Sequence, residues 1–124
     1  MNFLYVALGG ALGAMARYGA HWAWAAHARP FPWSTLWINV SGSGLAGFLG
    51  VLWMDRDALR SPERLLVMVG FLGAFTTFST FAGESAALAR GGQWGALVLH
   101  GLAHNGLSWL AAVLGGWCAW QLKN

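Results

Sequence analysis

Residues 70–81 read GFLGAFTTFSTF, four hydroxyls and four phenyl rings in twelve positions. No charge falls between Arg64 and Glu84, and an uncharged run of nineteen residues wound as a helix is about the length that crosses the roughly 30 Å hydrocarbon core of a bilayer. Thr76, Thr77, Ser79 and Thr80 crowd the centre of that run, where hydroxyls contribute little to packing and Leu or Ala would ordinarily stand. Polar groups at such depth line a cavity or a pathway, or they meet backbone freed by an interrupted helix. The segment reads as a site.

Working outward, the chain has 124 residues, 57% hydrophobic and 9% charged, far below the roughly 25% charged of a soluble domain. That composition marks an all-α membrane protein. Four apolar spans are expected, at about 3–26, 33–54, 65–88 and 94–122, forming one domain over 1–124. The separators His27 to Pro32, Asp55 to Arg64 and Arg90 to Gln93 hold most of the charges and prolines. The first span has no Lys or Arg before its apolar run and no clean cleavage site after it, so it reads as a retained helix rather than a secretory signal. Cys118, the one cysteine, has no partner for an internal disulfide and reads as a small buried residue. The net charge of +3 comes from seven basic residues scattered among loops, which is no patch for nucleic acid.

With four crossings, Arg56, Arg60, Arg64 and Lys123 fall on the side of the termini and Arg29 and Arg90 on the other, with Arg17 near the end of span one. A bias of four against two or three is weak under the Lys/Arg rule for topology, so insertion both ways up is expected. Glycines give span one a small-residue face at Gly9 and Gly13, and span two another at Gly42, Ala46 and Gly50. Four short helices bury little surface alone, so a homo-oligomer is expected.

Two motif matches mislead. GSGLAG at 42–47 satisfies G-x-G-x-x-G, yet no βαβ unit or later acidic residue accompanies it and the run stays apolar, so helix packing accounts for it. Asn39-Val40-Ser41 fits the glycosylation sequon but lies inside an apolar span. An amide there is costly unless it meets a partner, water or a solute, which makes Asn39 a second polar centre. A third is span four, where His100, His104 and Ser108 recur every four residues and share a helical face. Histidines at i and i+4 suit a metal, but no Asp, Glu or Cys is expected in the same membrane layer to complete a set. No G-x-S-x-G elbow or H-E-x-x-H occurs, so no enzyme is expected.

Over nearly its whole length the chain resembles the small fluoride channel family, Fluc, also called CrcB. The resemblance lies in GGALGAMARY at 9–18, WSTLWINVSG at 33–42, GFLGAFTTFSTF at 70–81 and Glu84 shortly after. It implies an antiparallel, dual-topology homodimer in the bacterial inner membrane, exporting fluoride down its electrochemical gradient through two pores, with the third helix broken near its middle. It also implies a central Na⁺ bound by the backbone carbonyls of Gly73 and Thr76 and their symmetry mates. By similarity Phe78 and Phe81 turn ring edges into the pores, Asn39 offers an amide donor, and Ser79, Thr80 and Ser108 offer hydroxyls. At the first two places of the span-four track family members often carry Tyr or Ser where this chain has His100 and His104. Where the family has an aromatic two residues after the span-two glycine, this chain has Gly44.

The chemistry suits the ion: fluoride is tightly hydrated, and amides, hydroxyls and phenyl edges present partial positive charge without a fixed cation to trap it. Arg17 fits either a vestibule that gathers anions or an interfacial anchor. Glu84, one turn past Phe81, is poorly placed for anion passage unless it is hydrogen-bonded or turned to a vestibule. The alternative is a small multidrug-type transporter, also four short spans with dual topology. Such transporters couple through a membrane-embedded carboxylate, whereas Glu84 and Asp55 are expected toward span ends.

Overall fold

The computed structural model describes residues 1–25, 31–54 and 61–124. Arg29, Asp55, Arg56 and Arg60, which carry much of the charge count across the loops, lie outside the described residues.

Every described element is helical. Helix α1 is Asn2–Ala25, α2 is Trp33–Leu52, α3 spans 62–75, α4 is Phe78–Arg90 and α5 is Trp94–Lys123. Ser61 caps α3 by accepting from the Arg64 N–H, with Pro62 at the first position, where a missing N–H costs nothing. Leu65–Leu72, the middle of α3, is wound as a π-helix, a rare form that concentrates at functional sites. Three described stretches are long and apolar enough to cross a membrane: Trp33–Leu52, Pro62–Arg90 and Trp94–Lys123. Helix α1 has the length but is not among them; Arg17 and His21 lie within it.

The packing is pairwise. Helix α1 lies along α3, and α2 along α5, with α4 also against α5. Both main pairs run parallel: Gly9 meets Leu66 and Gly13 meets Phe71 in the first, while Gly47 meets Ala112 and Gly116 meets Val51 in the second. A Cβ on Gly47 would strike the Ala112 carbonyl and one on Gly115 the Gly44 carbonyl, so only hydrogen at these positions lets the two backbones approach. The small-residue face expected on span two is therefore corrected. Gly44 and Gly47 meet α5, Gly42 faces Thr76 and Phe75, and Gly50 meets nothing within 4 Å.

The buried apolar core is thin, made of Leu36, Ile38, Leu72, Leu88 and Ala119. Large apolar side chains instead cover the outside, among them Leu102, Trp109, Trp117 and Trp120. Cys118 is exposed rather than buried.

Candidate functional site

The third rod is interrupted where the hydroxyls cluster. Thr76 (ψ 156°) and Thr77 (φ −151°, ψ 105°) are extended, and α4 begins afresh at Phe78. The Thr77 hydroxyl caps the new helix by accepting from the Thr80 N–H at 3.2 Å, as Ser and Thr do at helix starts. Gly42 on α2 makes room for this, since a Cβ there would collide with the Thr76 methyl group.

Asn39 holds the break. Its Oδ1 accepts from the Thr77 N–H at 2.8 Å and its Nδ2 donates to the Thr77 carbonyl at 3.1 Å. One side-chain amide thus satisfies both backbone groups of a residue that has left the helix, which is what apolar surroundings demand. The remaining Nδ2 hydrogen faces His104 Nδ1 at 3.4 Å.

Two carbonyls are released by this arrangement. In an unbroken helix the Gly73 carbonyl would accept from the Thr77 N–H and the Thr76 carbonyl from the Thr80 N–H. Those donors are given to Asn39 and to the Thr77 hydroxyl instead. These are the carbonyls expected to meet Na⁺, and oxygen dipoles without a helical donor suit a hard cation. The Thr76 side chain is not among them, because its hydroxyl donates back to the Leu72 carbonyl at 2.9 Å.

An open groove of about 450 Å³ runs past the break, lined by Asn39, Gly73, Thr76, Thr77, Phe78, Phe81, His104 and Ser108 among others. The Phe78 and Phe81 rings lie 5.5 Å apart. Phe78 is 75% exposed on this chain, whereas Phe81 covers the imidazoles of His100 and His104 at 4.9 and 4.7 Å. Ser79 and Thr80 do not line the groove; their hydroxyls meet the Thr77 hydroxyl at 3.3 and 2.9 Å. The Thr77 hydroxyl donates to Thr80 Oγ1, which leaves the Thr80 hydroxyl hydrogen to donate onward. The Ser108 hydroxyl is buried with no hydrogen-bond partner among the described residues. Arg17, half-buried on α1, lies away from the groove.

Above the break a second polar layer departs from expectation. Glu84 does lie in the same layer as the two histidines, with Oε2 3.6 Å from His100 Nε2. The hairpin explains it: Glu84 stands seven residues before Gly91 and His100 seven after Gln93, so antiparallel α4 and α5 bring them level. The other carboxylate oxygen, Oε1, accepts from the Thr35 hydroxyl at 2.6 Å. Thr35 was not singled out by the sequence, because a threonine in the first turn of an apolar helix carries no distinguishing pattern; Thr77 stood out only as one of four clustered hydroxyls, without its capping role.

The pattern of the family described as "CrcB-like protein, Camphor Resistance (CrcB)" matches residues 4–116. A relative from Magnetococcus marinus, described as a fluoride-specific ion channel FluC, is 48% identical over 120 residues, covering 93% of this chain and 94% of its own length. Relatives with the same description from Saccharophagus degradans and Thermus thermophilus are 46% and 44% identical, covering 90% and 92% of this chain and 84% and 90% of their own lengths. With a match of that extent, and a third helix broken at its hydroxyl cluster, the chain belongs to the CrcB family.

Proposed function

We propose that this protein is a fluoride-selective channel that lets fluoride leave a bacterial cell across its inner membrane, down its electrochemical gradient. The observation that carries the reading is the interrupted third helix. At Thr76–Thr77 the chain turns the N-terminus of the thirteen-residue helix α4 onto a groove edged by Phe78 and Phe81. The first N–H groups of a helix have no internal acceptor and concentrate positive potential, and phenyl edges add to it. Anion attraction without Lys or Arg follows, and an ion held this way can also leave. The printed descriptions of the relatives as fluoride-specific channels support fluoride as the anion.

Within this reading Asn39 fixes the break, since both its amide hydrogens are committed inside the chain, Ser108 supplies a hydroxyl donor along the groove, and Thr80 holds its hydroxyl just behind the groove wall, against Thr77. Ser79 stands beside them, with its hydroxyl shared with Thr77. Arg17 sits at a vestibule or anchors span one. The single domain 1–124 crosses the membrane four times, and two copies assemble antiparallel. Gly73 and Thr76 of each copy direct carbonyls at a shared Na⁺, which supplies a structural charge at the interface and takes no part in conduction. The relatives' printed descriptions as fluoride-specific channels disfavour the multidrug-type transporter; the one membrane-embedded carboxylate among the described residues, Glu84, has one of its two oxygens held by the Thr35 hydroxyl.

The test is efflux from liposomes loaded with fluoride or chloride. Fluoride should leave at least a hundredfold faster than chloride; equal rates, or none for fluoride from well-folded protein, would reject the reading.

A further inference from the structure

Three side chains above the break, Glu84, His100 and His104, form a compact polar cluster. His100 and His104, 0% and 4% exposed, turn their rings toward each other with centroids 4.3 Å apart. Neither nitrogen of His100 has a hydrogen-bond partner among the described residues, and the same holds for His104 Nε2 and Glu84 Oε2. Buried polar atoms are normally paired, and one carboxylate oxygen cannot serve three ring nitrogens. One ligand atom from each residue lies within 4.8 Å of the others.

We propose that Glu84, His100 and His104 form a binding site for one divalent transition-metal ion of the zinc class. Two imidazoles at i and i+4 on one helix face, completed by a carboxylate, are a zinc donor set that leaves a fourth position open. Metal–ligand bonds of about 2.0–2.2 Å would place the donor atoms roughly 3.3 Å apart. The 3.6 Å between Glu84 Oε2 and His100 Nε2 is already close to that, and the three donor atoms, all within 4.8 Å of one another, have to draw together to reach it. Thr35, fully buried, holds the far oxygen of Glu84, which orients the carboxylate as an outer partner does in established metal sites. The Glu84 side chain, 25% exposed, is where the ion comes in.

Occupancy reaches the break. A metal on His104 Nε2 leaves the ring hydrogen on Nδ1, facing Asn39 Nδ2 across 3.4 Å where two donors oppose each other. Asn39 must then shift, and with it the Thr77 backbone that it clamps. Together with a divalent charge beside Phe81, this makes the ion a blocker. The binding claim stands apart from the fluoride reading, whereas the block rests on it.

The experiment uses the full chain, tag removed and chelator-washed, in detergent and in liposomes. Competition with a chromophoric chelator should give one Zn²⁺ per chain at micromolar affinity or tighter, lowered at least tenfold in His100→Ala and in Glu84→Gln and unchanged in His21→Ala. Cobalt added to the unaltered protein should give the intense visible bands of a four-coordinate site, a readout that needs no variant to fold. Absence of stoichiometric zinc, affinity in His100→Ala and Glu84→Gln unchanged from that of the unaltered chain, or a six-coordinate cobalt spectrum would overturn the site. In the second arm Zn²⁺ should stop fluoride efflux and a chelator restore it. Zinc bound with efflux unchanged would overturn the block alone, and absent efflux without zinc would count against the fluoride reading while leaving the binding result intact.

Discussion

Asn39 is the residue on which the break turns. Its amide replaces helical partners for both the N–H and the carbonyl of Thr77, two groups that would each cost about 1–3 kcal/mol if left buried and unpaired. We expect Asn39→Ala to lower the thermal midpoint in detergent by several degrees and to cut fluoride efflux at least tenfold; a variant as stable and as active as the original would mean that the clamp is dispensable. Asn39 stood out in the sequence as an amide at an apolar depth, but its partner did not. The partner is backbone thirty-eight positions away, and no spacing rule names a backbone group. The hydroxyls were legible as a cluster, and their division of labour was not, because capping by Thr77 depends on where the helix restarts.

The break itself belongs to the scale of the element. A Cβ on Gly73 would find only the Met68 carbonyl, at 4.0 Å, whereas one on Gly42 would strike Thr76 and Phe75. Gly42→Val should therefore unfold or misfold the chain, while Gly73→Val should fold and, if two copies meet at this carbonyl, dissociate to monomer by sedimentation or light scattering. A dimeric, fully active Gly73→Val would remove Gly73 from the proposed interface. Thr76→Ala deletes a hydroxyl already spent on the Leu72 carbonyl and should be the milder change. Helix existence and the glycine-rich contacts were readable from apolar runs and small residues. On span one the touching glycines, Gly9 and Gly13, were readable as well; on span two they were not fully, since with glycine at nearly every turn no face stands out, and Gly44 and Gly47 rather than Gly50 meet a neighbour. The level of Glu84 beside His100 was hidden for a related reason: it follows from the tight Gly91–Gln93 reversal rather than from either helix.

At the scale of the whole molecule, the chain leaves Leu102, Trp109, Trp117 and many other large apolar side chains uncovered and keeps a polar groove open at the break. Lipid suits the first and a second copy suits the groove. The near-even Lys/Arg count across the proposed loops predicts both orientations in one membrane, so a C-terminal tag should be reachable from either face of inverted and right-side-out vesicles; labelling from a single face only would contradict it. An Na⁺-free preparation should lose dimer stability, and a dimer indifferent to Na⁺ would count against the carbonyl site at Gly73 and Thr76.

If fluoride selectivity arises from the phenyl-edged break, it should show in fluoride and chloride efflux from the same liposomes, for the unaltered chain and for a Phe78→Leu, Phe81→Leu double variant. Leucine keeps apolar bulk and removes the positive ring edge. Fluoride efflux from the unaltered chain should be fast and chloride efflux negligible, and fluoride efflux from the folded double variant should fall at least tenfold, since about 1.4 kcal/mol at the barrier suffices. Undiminished fluoride efflux from that variant would contradict this origin of selectivity.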